Sequence, residues 1–202
     1  MLDPAPPSGS PAPGVRGDTR NRVRSPPIPV APHDGPLEDA CALPTDAQEL
    51  YRDDRVAFFA AGEAFLVRWD DTPTMKQMDA MAEISRPYEA VVPGGCGLFN
   101  IVVSGKATFS PEFRARATSV SADPERFRRF RTHVILLDGL RALTVQLFVN
   151  TFARLSSPPV PTVAVRSIDA SCEWAAPHLH DTGWTPASLR RAHAQVLEAQ
   201  HE

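Results

Sequence analysis

The chain has 202 residues, a formal net charge of −3 and a pI near 6.1. A length of this order suits one domain, and the near balance of charge offers no global attraction to nucleic acid or an anionic membrane. Three cysteines, Cys41, Cys96 and Cys172, are far apart and form no C-x-x-C pair, which argues against a disulfide framework and a thiolate zinc site.

The N-terminus, Met1 to Pro7, has neither a basic start nor an apolar run, so no secretory signal is expected. Eleven of the 21 prolines fall in the first 45 residues, which hold no aromatic side chain. Such a stretch buries too little surface to offset its ordering entropy, so residues 1–47 are predicted to form a disordered, partly polyproline-II leader. The leader carries Arg20, Arg22 and Arg24 ahead of Ser25-Pro26-Pro27, a stretch that a kinase or groove-binding domain could read but that serves equally as a linker.

From residue 48 to 202 the composition is that of one folded domain. Tyr51–Ala60 and Phe65–Trp69, joined at Ala61-Gly62-Glu63-Ala64, read as an opening β-hairpin. Thr72-Pro73 sets a hydroxyl cap before a proline, and Met75, Met78, Met81 and Ala82 follow at helical spacing until Pro87 weakens or ends the helix. A buried strand follows at Leu98, Phe99, Ile101, Val102 and Val103, then a second helix opened by Ser110-Pro111. Phe127 and Phe130 suggest a short further helix. His133–Leu137 is the most apolar strand, and a helix from Leu140 to Leu155 is expected to bury Leu143, Leu147 and Phe148. That helix is interrupted by Arg141, Gln146, Asn150 and Arg154, so no membrane span is expected. Thr162–Val165 gives another strand, Asp169 caps a helix carrying Cys172 and Trp174, and Thr185-Pro186 opens a C-terminal helix.

The order β-β-α-β-α-β-α-β-α plus an appended helix predicts an α/β fold with a single mixed sheet, parallel apart from its hairpin edge. It resembles the STAS fold, in particular the SpoIIAA-like proteins, over roughly residues 48 to 178. The stretch from Pro159 to Trp174 carries the likeness best, with Trp174 in the place of a core-closing tryptophan and Asp169 in that of a helix cap. The resemblance implies a non-enzymatic regulatory module that works through an unknown protein partner, and the cysteine usage with no expected secretory signal predicts a cytoplasmic location. It also implies a phosphorylatable serine where a strand meets the following helix. Ser110 is the nearest candidate there, with Thr108 and Ser104 behind it, although Ser110 serves equally as an N-cap and the usual Asp-Ser-Ser-Gly is missing.

Other chemistry is thinner. Asp138 lies at the carboxyl end of a strand, where α/β sheets bind ligands, but reads as well as a turn residue. His178, His180 and Asp181 cluster without a partner motif, so no metal or other cofactor is expected. Cys172 is predicted to be buried and inert. Arg114, Arg116, Arg126, Arg128, Arg129 and Arg131 could form a basic surface for RNA or an acidic partner, but fit a solvated helix face better, and no nucleic acid is expected. An enzyme using Asp138 or His133 at the strand edge ranks last, since neither has a visible catalytic companion. The alternative to the interaction module is a carrier of an apolar small molecule or lipid, because Leu147, Phe148, Val149 and Phe152 give one helix more apolar surface than a single packing face needs.

Overall fold

The structure, a computed structural model, describes residues 46–106, 109–156, 158–179 and 183–199. The proline-rich leader and Thr108 fall outside that set. Six strands form one sheet in the order β1(Gln48–Arg52), β2(Val56–Ala61), β3(Ala64–Trp69), β4(Gly97–Val102), β5(Phe130–Ile135) and β6(Thr162–Val165). The first three pair antiparallel and β3 to β6 run parallel. The expected mixed α/β sheet is therefore present, with one strand more than the sequence suggested. Asp53 Oδ1 accepts from the amides of Arg55 and Val56 and turns the chain between β1 and β2, so Tyr51 belongs to an added edge strand.

Helices α1(Met75–Val91), α2(Pro111–Ala122) and α3(Gly139–Ser156) make the crossovers between successive parallel strands. Right-handed crossovers that always step to the next strand place every connecting helix on the same face. That face buries Phe58, Phe65, Val67, Trp69 and Leu98 against Met78, Met81, Phe113 and Val120. The opposite face needs a separate cover, which comes from α4(Ile168–Ala175), a 3-10 turn at Ala176–His178 and α5(Pro186–Glu198). There Phe59, Leu66, Phe99, Ile101 and Phe130 meet Cys172, Leu179, Trp184, Leu189 and Val196. The C-terminal helix is thus half of a layer rather than an appendage.

Several local expectations change. Thr74, not Thr72, caps α1 through a reciprocal pairing with Gln77, and the helix runs on past Pro87 to Val91. Proline there removes one amide donor near the helix end, where little of the ladder remains to lose. No helix forms at Phe127 to Phe130: Phe127 sits at φ 47°, and Phe130 opens β5. Ser167, not Asp169, caps α4, with Asp169 in its first turn. On α3 the buried positions are Ala142 and Val145, while Leu143 and Leu147 are 53% and 68% exposed. Among the described residues no helix is long and apolar enough to cross a membrane.

Candidate functional site

Between the sheet and α1, α2 and α3 lies a cavity of about 140 Å³. Its walls are aromatic and aliphatic. Met78 and Met81 come from α1, Phe113, Ala117 and Val120 from α2, and Val145, Phe148, Val149 and Phe152 from α3. Phe109, ahead of α2, stacks on Phe148 at 4.3 Å between ring centroids and on Phe113 at 5.2 Å, which ties the second and third helices together across the opening. An apolar space of this size is destabilising when empty, since its lining forfeits dispersion contacts.

The floor is formed by the central parallel strands. Alternation along β4 and β5 turns Leu98, Asn100 and Val102, and Arg131 and His133, toward the cavity. Asn100 and His133 are register partners on adjacent strands. Asn100 is buried, and its Oδ1 accepts a 3.1 Å hydrogen bond from Trp69 Nε1. That bond fixes the amide and leaves its Nδ2 without a protein partner among the described residues. The His133 ring likewise has no hydrogen-bond partner among them. It lies deep in the domain yet keeps surface toward the cavity. Burial, with the Arg131 charge beside it, pushes its pKa down to about 4, so the imidazole is neutral near pH 7. It can then offer one acceptor and one donor.

Arg131 keeps its charge beside the floor but points its terminal nitrogens at the backbone. Its Nη1 donates to Ser121 O at 2.6 Å and its Nη2 to Arg126 O at 3.2 Å, so the guanidinium closes the end of α2. The rim, at the carboxyl end of the parallel strands, is where the β3–α1 and β4–α2 loops meet. The Lys106 amide donates to Thr72 Oγ1 at 2.7 Å, and Gly105, at φ +116°, lets the two backbones touch. Any added Cβ there would stand 2.7 Å from Thr72 N.

The other candidates are scattered. Ser110 is exposed and caps α2, its Oγ accepting from Phe113 N at 3.1 Å; Ser104 lies at the cavity rim. Asp138 is exposed on the turn before α3 and does not line the cavity. His133 is an interior residue of β5 rather than an edge group. His178 packs on Trp174 and Phe130, while His180 and Asp181 lie outside the described residues. Among the described residues no group of three or more His, Cys, Asp and Glu could hold a metal. Cys172 is fully buried, and burial pushes its thiol up to about 12. The arginine run does not share one solvated face. Arg126 and Arg131 are buried, Arg126 is held by Glu89 and Ser85, and Arg116 pairs with Asp79.

Sequence reasoning weighed His133 only as an edge group and missed Asn100. The available signal was Asn100 alone interrupting the apolar run of β4; His133 stands beside Arg131 and Thr132 in β5, and pairing of the two strands is what sets it opposite Asn100. What the fold and site define is an α/β/α domain with an internal apolar cavity floored by a neutral amide–imidazole pair. No family model, no curated protein and no solved structure matches the chain.

Proposed function

We propose that this domain is a non-catalytic binder or carrier of a small apolar molecule. The observation that carries the reading is the aromatic-walled cavity opening beside the carboxyl ends of the parallel strands, the usual ligand position in an open α/β sheet. Its walls draw on Phe148, Val149 and Phe152 of α3, three of the four side chains that made this helix look over-supplied with apolar surface. The reading is tested by native mass spectrometry of the chain purified from its own cells, together with thermal denaturation in the presence of toluene. A co-purifying small molecule or a rise in Tm with toluene is expected. Protein that carries nothing and does not respond to toluene overturns it.

A second reading, a regulatory module acting through protein contacts, is supported by the exposed stripe Leu140, Leu143 and Leu147 on α3, which are 81%, 53% and 68% exposed. Residues spaced three and seven apart share one helix face, and such a stripe is self-complementary about a twofold axis. This reading therefore takes a second copy of the chain as partner. Sedimentation velocity showing a dimer that Leu143→Glu with Leu147→Glu dissolves is expected under it; a monomer at high concentration removes it.

A further inference from the structure

We infer that the cavity selects an uncharged single-ring aromatic alcohol of the phenol class, its ring among Phe113, Phe127 and Phe148 and its hydroxyl on Asn100 and His133. This rests on the apolar-binder reading above and specifies the ligand.

Size comes first. A cavity of about 140 Å³ is close to an engineered apolar cavity of about 150 Å³ that accepts benzene, so one six-membered ring with a small substituent fills it. Shape comes next. The facing walls carry Phe109, Phe113, Phe127 and Phe148, and flat rings pack edge or face against such walls with a modest gain beyond burial.

Polarity decides the class. Neighbouring parallel strands stand roughly 4.8 Å apart, so the register partners Asn100 and His133 present their polar atoms to one small region of the floor. Trp69 Nε1 occupies the Asn100 carbonyl, which leaves the amide NH₂ to donate. The neutral imidazole supplies an acceptor nitrogen. A hydroxyl is the smallest group that satisfies both at once, accepting from Asn100 and donating to His133. Plain hydrocarbon would leave both protein groups desolvated and unpaired, which costs more than the ring gains from closer packing.

Charge excludes the nearest rivals. A carboxylate at this depth would need N–H donors as well as a nearby charge, and Arg131 already donates from both terminal nitrogens to the carbonyls of Ser121 and Arg126. Lys106 is exposed at the rim, away from the floor. An amine would need a carboxylate, and the one that lines the cavity, Asp71, is at the rim in an ion pair with Arg55 at 2.8 Å.

The test is calorimetric titration of the full chain with phenol, benzene and benzoate, repeated on Asn100→Leu and His133→Leu. Phenol is expected to bind at least tenfold more tightly than benzene or benzoate. Either substitution is expected to bring phenol and benzene within about threefold of each other while benzene still binds. Benzene binding as tightly as phenol to the wild-type chain overturns the inference and leaves the apolar-binder reading standing; no binding of any ring overturns both. Benzoate binding best overturns the inference as well, as does a phenol preference that survives both substitutions. The wild-type comparison decides the matter even where a variant fails to fold.

Discussion

His133 couples the cavity floor to pH. Burial and the neighbouring Arg131 charge lower its pKa to about 4 in the folded chain, against about 6.5 when unfolded. The other charged groups lining the space are Lys106 and Asp71 at the rim, and the facing positions of α3, Val145, Phe148 and Val149, are apolar. As pH falls below 6.5 the unfolded chain takes up a proton that the folded chain refuses. The stabilisation present above pH 6.5 is therefore lost progressively down to about pH 4, by an amount on the order of 3 kcal/mol. His193, lowered in the same direction by burial, adds to the trend. Urea denaturation across this window is expected to show a shallower pH dependence for His133→Leu than for the wild-type chain; identical slopes would place the ring in water. Arg126 presents the complementary case. Its guanidinium and the Glu89 carboxylate are 4% and 8% exposed and 3.0 Å apart. Removing one partner leaves the other charged and buried, so Arg126→Ala is expected to cost about 3–5 kcal/mol. Arg126→Met combined with Glu89→Leu should cost far less, and equal losses in the two cases would refute the pairing.

Close approach between elements sets its own limits. β4 meets β5 at Gly97 and Phe130, and a Cβ on Gly97 would lie 2.2 Å from the Phe130 ring, which is itself fixed edge-on against Phe99 and Trp174. Gly97→Ala therefore overpacks the strand pair and should lower stability by about 2 kcal/mol. Phe130→Leu in the same chain should recover part of that loss, and a double-mutant cycle with no coupling would show that the ring is not the obstacle. At this scale the sequence is legible where periodicity and caps agree: Ser110-Pro111 and Thr185-Pro186 start α2 and α5 as read. It is least legible where an element is defined by its neighbour. Gln48–Arg52 is a polar edge strand whose identity comes from pairing with β2, and Phe127 in the left-handed region turns an apparent helix into a loop that leads into β5. For α3, excess leucine concealed which side is inward, because Ala142 and Val145 face the core and Leu143 and Leu147 do not. The cavity floor shows the same dependence. Asn100 and His133 are 33 positions apart in the chain, and only the register of β4 on β5 makes them one site.

For the whole molecule, the three crossover helices leave one sheet face bare, and everything after β6 is needed to cover it. Leu189, Ala192, His193 and Val196 of α5 are fully buried there. Complete burial of a leucine or valine side chain is worth about 1.5–3 kcal/mol, so Leu189 and Val196 together supply several kcal/mol, comparable to the stability of a typical domain. Charge reinforces the dependence. Arg68, 1% exposed on β3, donates from Nη1 to the carbonyls of Val196 and Leu197 at 3.0 and 3.1 Å and pairs with Asp70. Without α5 its guanidinium would border exposed apolar surface with only that carboxylate to balance it. At the other end of the helix Trp184 covers Gly62 and donates to Glu63 Oε2 at 2.7 Å. The Ala47 amide donates to Gln195 Oε1 at 2.8 Å, so the start of the domain is also held by this helix. A chain ending at residue 182 is therefore expected to lose cooperative unfolding and near-ultraviolet circular dichroism and to aggregate. A truncated chain that still unfolds cooperatively at the full-length midpoint would make α5 dispensable and would undo the account of the second layer.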